Sequence, residues 1–196
     1  LDPLTWEFTF RPGVQFHDGT MVHPKDVVAS IERAQTFEQS QLKSLLNTIE
    51  KMEVIDDRTL LIHTSVPDPL LLQKMAVTYI FPRQWTDFEQ PMGTGPYQFI
   101  SRDSFRLIMH RFKEYWGKKA ASTEVVLQHI VNRNDRIAAL EKGEIQLLSN
   151  VPPFVACATS AVYKTKDGCL PFRNNDIVVT SIPSLEVNFL GLNVND

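Results

Sequence analysis

Most of what marks an enzyme or a nucleic-acid binder in a sequence is missing from this chain. Gly93-Thr94-Gly95-Pro96 is glycine-rich but lacks the Lys-Ser/Thr that a phosphate-cradling loop needs. No G-x-S-x-G elbow is present. Lys and Arg total 20 against 23 Asp and Glu, for a net charge of −3, so there is no basic excess to form a nucleic-acid footprint. Long apolar runs are lacking too. Leu70-Leu71-Leu72 and the stretch 75–81, interrupted by Thr78, fall far short of a bilayer span. The opening Leu1-Asp2-Pro3-Leu4-Thr5 has neither the basic start nor the apolar core of a secretory signal, and reads as a segment cut from something longer.

Cysteine is scarce. Cys157 and Cys169 stand twelve positions apart. In an oxidising compartment they can close a local disulfide, and two unpaired thiols are an equally good reading. With no further Cys or nearby His, the pair falls short of a metal site. A nucleophilic Cys157 would need a His and an orienting partner brought to it by the fold. The five histidines (His17, His23, His63, His110 and His129) are scattered over separate elements. His17 and His23 are close in sequence, but only Asp18 and Asp26 offer further ligands. Ordinary polar roles explain His63 and His110, which alternate along strands. Asp56-Asp57 lies in a turn, where solvation accounts for it. The reading is therefore no catalytic residues, no metal and no cofactor, and the weight moves toward binding.

What is present suits a mixed α/β protein. Hydrophobic residues make up 43% and charged residues 22% of 196, as in an ordinary folded chain of one domain or two small lobes. Trp6-Glu7-Phe8-Thr9-Phe10 alternates with the period of a half-buried strand. A brief strand at Val14-Gln15-Phe16 and a turn at His17-Asp18-Gly19-Thr20 follow. Residues 24–34 predict a helix with Pro24 in its first turn and an apolar stripe of Val27, Val28, Ile31 and Ala34. A second helix is expected over 40–46. Residues 49–55 and 59–64 flank Asp56-Asp57-Arg58 as a β-hairpin. Pro67-Asp68-Pro69 starts another helix through Met75, with a short strand at Tyr79-Ile80-Phe81.

A Gly- and Pro-rich shift over 88–96 places a lobe boundary near residue 90. Beyond it, strands are expected at 97–100, 105–110 and 125–131, a helix at 135–142 ended by Gly143, and two last strands at 177–181 and 186–192.

Several segments together resemble a known family. Trp6-Glu7-Phe8-Thr9-Phe10-Arg11-Pro12-Gly13-Val14-Gln15-Phe16-His17-Asp18-Gly19, followed by Lys25-Asp26-Val27-Val28-Ala29-Ser30, is similar to the W-x-F-x-L-R-x-G-V-x-F-H-D-G and A-x-D-V-x-x-S patterns of the bacterial extracellular solute-binding proteins of family 5. Phe10 stands for the Leu and Pro24 for the Ala. Pro91-Met92-Gly93-Thr94-Gly95-Pro96-Tyr97 resembles P-V-G-T-G-P-Y. Arg111, with Tyr115-Trp116-Gly117, matches R-x-x-x-Y-W-G. Arg136-Ile137-Ala138-Ala139-Leu140, with Gly143-Glu144-Ile145, resembles R-x-A-A-L-x-x-G-E-I-D, with Gln146 at the Asp. Phe189-Leu190-Gly191-Leu192-Asn193 looks like Y-L-G-F-N. Taken singly, these motifs read as fold markers rather than ligand contacts.

The resemblance implies a periplasmic-binding-protein-like type II architecture in part: residues 1–90 as a small accessory lobe of hairpins and helices, and 91–196 as part of the first ligand-binding lobe. It implies the substrate-binding component of an ABC import system, which captures a peptide or similar solute for membrane permease subunits. It also implies a periplasmic or extracytoplasmic location, with lipoprotein anchoring as one form. Some intracellular transcriptional regulators carry the same kind of domain as a sensor, which is the alternative. Thr78 falls where a cleft-facing Arg can occur and Gln41 where an accessory-lobe aromatic reaches ligand. Both are ligand-binding candidates by position only, and Thr78 argues against a carboxylate-bearing metal chelate.

Overall fold

The computed structural model describes residues 2–149, and the chain divides into two compact units, Leu1–His129 and Ile130–Asp196. The first unit carries two three-stranded antiparallel sheets. Its elements are β1 (Thr5–Thr9), α1 (Pro24–Thr36), β2 (Ile49–Val54), β3 (Thr59–Thr64), α2 (Leu71–Ala76), β4 (Tyr97–Arg102), β5 (Arg106–Arg111) and β6 (Glu124–Gln128). The sequence-expected boundary near residue 90 falls between the two sheets, inside this first unit.

The first sheet runs β1-β3-β2. Burial alternates along β3: Leu60, Ile62 and Thr64 are buried while Thr59, Leu61 and His63 are only half-buried. In register, Phe8 opposes Leu60 and Trp6 opposes Ile62 from one side, and Val54 and Met52 oppose the same two residues from the other. One apolar face results. Val27 and Ile31 of α1, Leu46, Ile49 and Leu71 close on it to form the core. Burying side chains of this size contributes about 1.5–3 kcal/mol each before entropy is charged.

Helix α1 begins with a reciprocal cap. His23 at the N-cap accepts from the Lys25 amide at 3.1 Å, Asp26 accepts from the His23 amide at 2.8 Å, and Pro24 fills the first turn, where no amide donor is needed. Accepting at Nδ1 leaves the proton on Nε2, which donates to Asp57 at 3.1 Å.

Three local expectations fail for identifiable reasons. Residues 40–46 form turns, not a helix. Leu42 and Leu46 do reach the core, but the amides of Ser40 and Lys43 bond three residues back. The Ser40 hydroxyl takes the Leu42 amide, and Gln35 takes the carbonyls of Leu46 and Ile49. Residues 79–81 are not a strand, because the Phe81 amide donates to Ser30 Oγ at 3.0 Å rather than to a neighbouring strand. Val14-Gln15-Phe16 contributes only a single bridge, Gln15 to Met21, around the turn in which Gly19 has φ 86°.

The second sheet, β4-β5-β6, is two hairpins in succession, with an irregularity in the first between Phe99 and Ser101. In the second unit, helix α3 (Arg133–Glu141) is capped by Asn132, which accepts from the amides of Asn134 and Asp135, and Gly143 follows it with φ 76°. The strands expected at 177–181 and 186–192 lie outside the described residues, as do Cys157 and Cys169.

Candidate functional site

Motifs far apart in sequence meet at His17. Its amide donates to the Gly93 carbonyl at 3.0 Å, and its Nε2 lies 3.1 Å from the Gly95 carbonyl. A carbonyl only accepts, so Nε2 carries the proton. Phe112 packs edge-on against the imidazole, with centroids 5.1 Å apart, and donates its amide to Pro96 at 2.9 Å. Trp116 donates its indole N–H to the Thr94 carbonyl at 3.2 Å, and the Arg11 guanidinium lies 4.1 Å from the Trp116 ring centroid. The segments Arg11–His17, Gly93–Pro96 and Phe112–Trp116 thus make one joint. His17 Nδ1 is buried there without a hydrogen-bond partner among the described residues, and burial holds the imidazole below its ordinary pKa of 6.5.

On the other side of the His17 turn lies a cleft of about 370 Å³. One wall is Phe16, Asp18, Thr20, Met21 and Asp26, and the other is Pro82, Arg83, Gln84 and Trp85. Asp26 ties the walls together. It is buried, with Oδ1 accepting the Arg83 amide at 2.9 Å and Oδ2 accepting the His23 amide at 2.8 Å. One turn along α1, Ser30 Oγ clasps Phe81 in the same way. The cleft is therefore set by α1 itself.

Its polar groups are unevenly used. Asp18 Oδ1 accepts both the amide and the hydroxyl of Thr20, at 2.9 and 2.7 Å, while Oδ2 accepts no hydrogen bond among the described residues. The half-exposed Arg83 guanidinium comes no nearer to a carboxylate of the described residues than 3.9 Å, at Asp26. The Trp85 indole N–H is buried and has no acceptor among the described residues. Sequence reading assigns Arg83 and Trp85 no role. The only signal for them is Asp26 in the Lys25-Asp26-Val27 segment, whose partner lies 57 residues away.

The position-based candidates lie elsewhere. Thr78 is buried, with its hydroxyl donating to the Lys74 carbonyl at 2.9 Å; Gln41 is exposed in the 39–46 turns. Two other histidines serve local structure: His63 reaches Thr5 at 3.1 Å and Glu53 at 3.4 Å, and His110 pairs with Glu124 at 3.1 Å. Asp68 is a further buried group, held below its usual carboxylate pKa by bonds from Lys74 and Thr48. Among the described residues no His/Cys/Asp/Glu group has the spacing to hold a metal, and no helix is long and apolar enough to cross a membrane.

A family model described as "Bacterial extracellular solute-binding proteins, family 5 Middle" matches residues 1–196. Among curated relatives, the glutathione-binding protein GsiB of Pectobacterium atrosepticum is 26% identical over 98% of this chain and 37% of its own length. The HTH-type transcriptional regulator SgrR of Escherichia coli K12 is 35% identical over 64% of this chain and 23% of its own length. Among solved structures, the PBP AgaA of A. tumefacien R10, in complex with agropinic acid, superposes with a TM-score of 0.75 at 27% identity, covering 79% of this chain and 33% of that one. The matched region thus spans 23–37% of the length of these proteins.

Proposed function

Since the chain belongs to the bacterial extracellular solute-binding proteins of family 5, we propose that it serves as scaffold in the substrate-binding component of an ABC importer. That component captures a peptide or a similar small solute outside the cytoplasm and hands it to membrane permease subunits. The observation that carries this reading is the family match over residues 1–196, together with the joint at His17, where motifs of that family pack on one another. The names of GsiB and AgaA, a glutathione-binding protein and a PBP seen with agropinic acid, support a small polar solute as the class of cargo.

In this reading residues 1–90 are the accessory lobe and 91–196 part of the first ligand-binding lobe. Gln41 and Thr78 are then positions facing the solute, Gln41 through its exposed amide. Thr78 contributes shape rather than charge, because its hydroxyl is already committed to Lys74. Capture in such proteins is a clamp motion of two lobes, so the 196 residues alone bind a di- or tripeptide weakly or not at all. Isothermal calorimetry checks this: micromolar affinity of the 196-residue chain for such a peptide overturns the scaffold assignment.

A second reading has specific support in the 35% identity to a transcriptional regulator over 132 residues. In that reading the chain belongs to an intracellular sensor. The segment preceding Leu1 in the gene discriminates: a secretory signal or lipobox favours the importer, and a helix-turn-helix favours the sensor.

A further inference from the structure

The cleft between the His17 turn and Pro82–Trp85 has no part in the clamp reading, yet it carries the features of a small binding site. Its volume lies at the low end of the range of about 300–1,000 Å³ usual for small-molecule pockets. The backbone of its walls is preorganised: Asp26 and Ser30 fix the segment 81–83 to α1 through the Arg83 and Phe81 amides, which leaves only side chains to order on binding. Met21, which is 54% exposed, and Pro82 supply apolar surface over the buried Phe16.

The polar groups lining the cleft are of both signs. Arg83 presents a guanidinium with no hydrogen bond among the described residues, a fork suited to a carboxylate. Asp18 presents a carboxylate oxygen that nothing in the described residues donates to. Trp85 lines the cleft beside Arg83, with its indole N–H buried behind that surface, and so serves as a reporter of binding there. A purely anionic ligand would face Asp18 and Asp26, and a cationic one would face Arg83. The geometry points to a zwitterion of amino-acid size, with its carboxylate on Arg83, its ammonium on Asp18, and an apolar side chain against Met21 and Pro82. This site lies within the first unit and does not depend on the importer reading.

L-leucine is the probe that tests it, followed by proton–nitrogen NMR on the 196-residue chain. The chain has three tryptophans, and Trp85→Phe assigns the Trp85 indole resonance by its loss. L-leucine is expected to shift that resonance saturably. Arg83→Gln and Asp18→Asn should each weaken the effect about tenfold or more, the usual consequence of losing a charge-assisted bond. Both variants spare the scaffold: Arg83→Gln keeps the amide that Asp26 binds, and Asn at position 18 keeps the oxygen that accepts from Thr20. Isocaproate, which lacks the ammonium, and isoamylamine, which lacks the carboxylate, should each bind at least about tenfold more weakly than L-leucine. The proposal is overturned if L-leucine produces no saturable shift, if either variant binds like the parent, or if one half-ligand binds as tightly as the whole.

Discussion

The imidazole of His17 donates from Nε2 to the carbonyl of Gly95 at 3.1 Å, joining a turn near the start of the chain to the bend that opens the second sheet. That bond fixes the tautomer, and it leaves Nδ1 buried with no acceptor among the described residues if a proton is added. Around it, the Asp18 carboxylate favours protonation, while the Gly93–Pro96 segment carries no ionisable side chain. Desolvation outweighs both the Gly95 bond and Asp18, and the imidazole pKa is lowered.

The consequence is a pH-dependent stability of stated sign. A folded-state pKa below the unfolded 6.5 means that the unfolded chain takes up the proton first as pH falls. The contribution of His17 is complete above pH 6.5 and is lost as the pH drops from there toward the lowered folded value. His17→Ala should remove this slope and, by losing the Gly95 bond and the Phe112 contact, cost about 2 kcal/mol at neutral pH. Urea unfolding of both proteins at several pH values on either side of 6.5 measures it. A parallel pH dependence in the variant contradicts the assignment to His17.

Asp68 predicts a second, more acidic transition. Its carboxylate binds Lys74 and Thr48, both at 2.6 Å, and the Leu70 amide at 3.2 Å, in a buried setting that anchors the start of α2 to the end of the core. Because its pKa is lowered, its contribution is present above the usual 3.8 and lost as pH falls through the lower folded value. Asp68→Ala leaves the Lys74 ammonium largely buried and unpaired, so a loss of about 3 kcal/mol is expected in denaturant unfolding.

The core is tested at Leu60, which is fully buried between Phe8 and Val54 of the flanking strands. Leu60→Ala should destabilise by about 3 kcal/mol with the denaturant slope unchanged. Leu61→Ala, the neighbouring half-buried position, should cost less than half as much. Equal losses at the two positions would contradict the register.

Gly19 turns the chain with φ 86°, and a Cβ added there meets nothing within 4 Å, so backbone strain alone sets the cost of a side chain. Gly19→Ala is expected to lose about 1 kcal/mol in thermal unfolding. Gly95, which has comparable room but no positive φ, should tolerate Ala with little change.

Much of this fold is legible in the sequence where a local pattern and its tertiary use agree. The aromatic–polar alternation in β1 is its alternation of burial, and Pro24 in the first turn announces α1. The N-cap itself is harder to foresee, because His23 acts through Nδ1 in a place where Ser, Thr, Asp or Asn is the usual choice. Residues 40–46 mislead because Leu42 and Leu46 have helical spacing, whereas Ser40 and Gln35 divert the backbone bonds that a helix needs. The cleft is illegible for a different reason: Arg83 and Trp85 gain meaning only through Asp26, which lies on another element. Three of the motifs that carry the family resemblance, at 11–17, 93–96 and 112–116, turn out to be packing partners of one another, so they announce the fold without naming a ligand.

The central claim, that these residues are scaffold for extracytoplasmic solute capture, is tested most directly by native mass spectrometry. The complete polypeptide that contains this chain, and the 196-residue chain alone, would each be incubated with a pool of di- and tripeptides. The account predicts one peptide or similar solute retained per complete polypeptide, and no peptide retained by the 196 residues. A peptide held stably by the 196 residues, or none held by the complete polypeptide together with specific binding to duplex DNA, would contradict it.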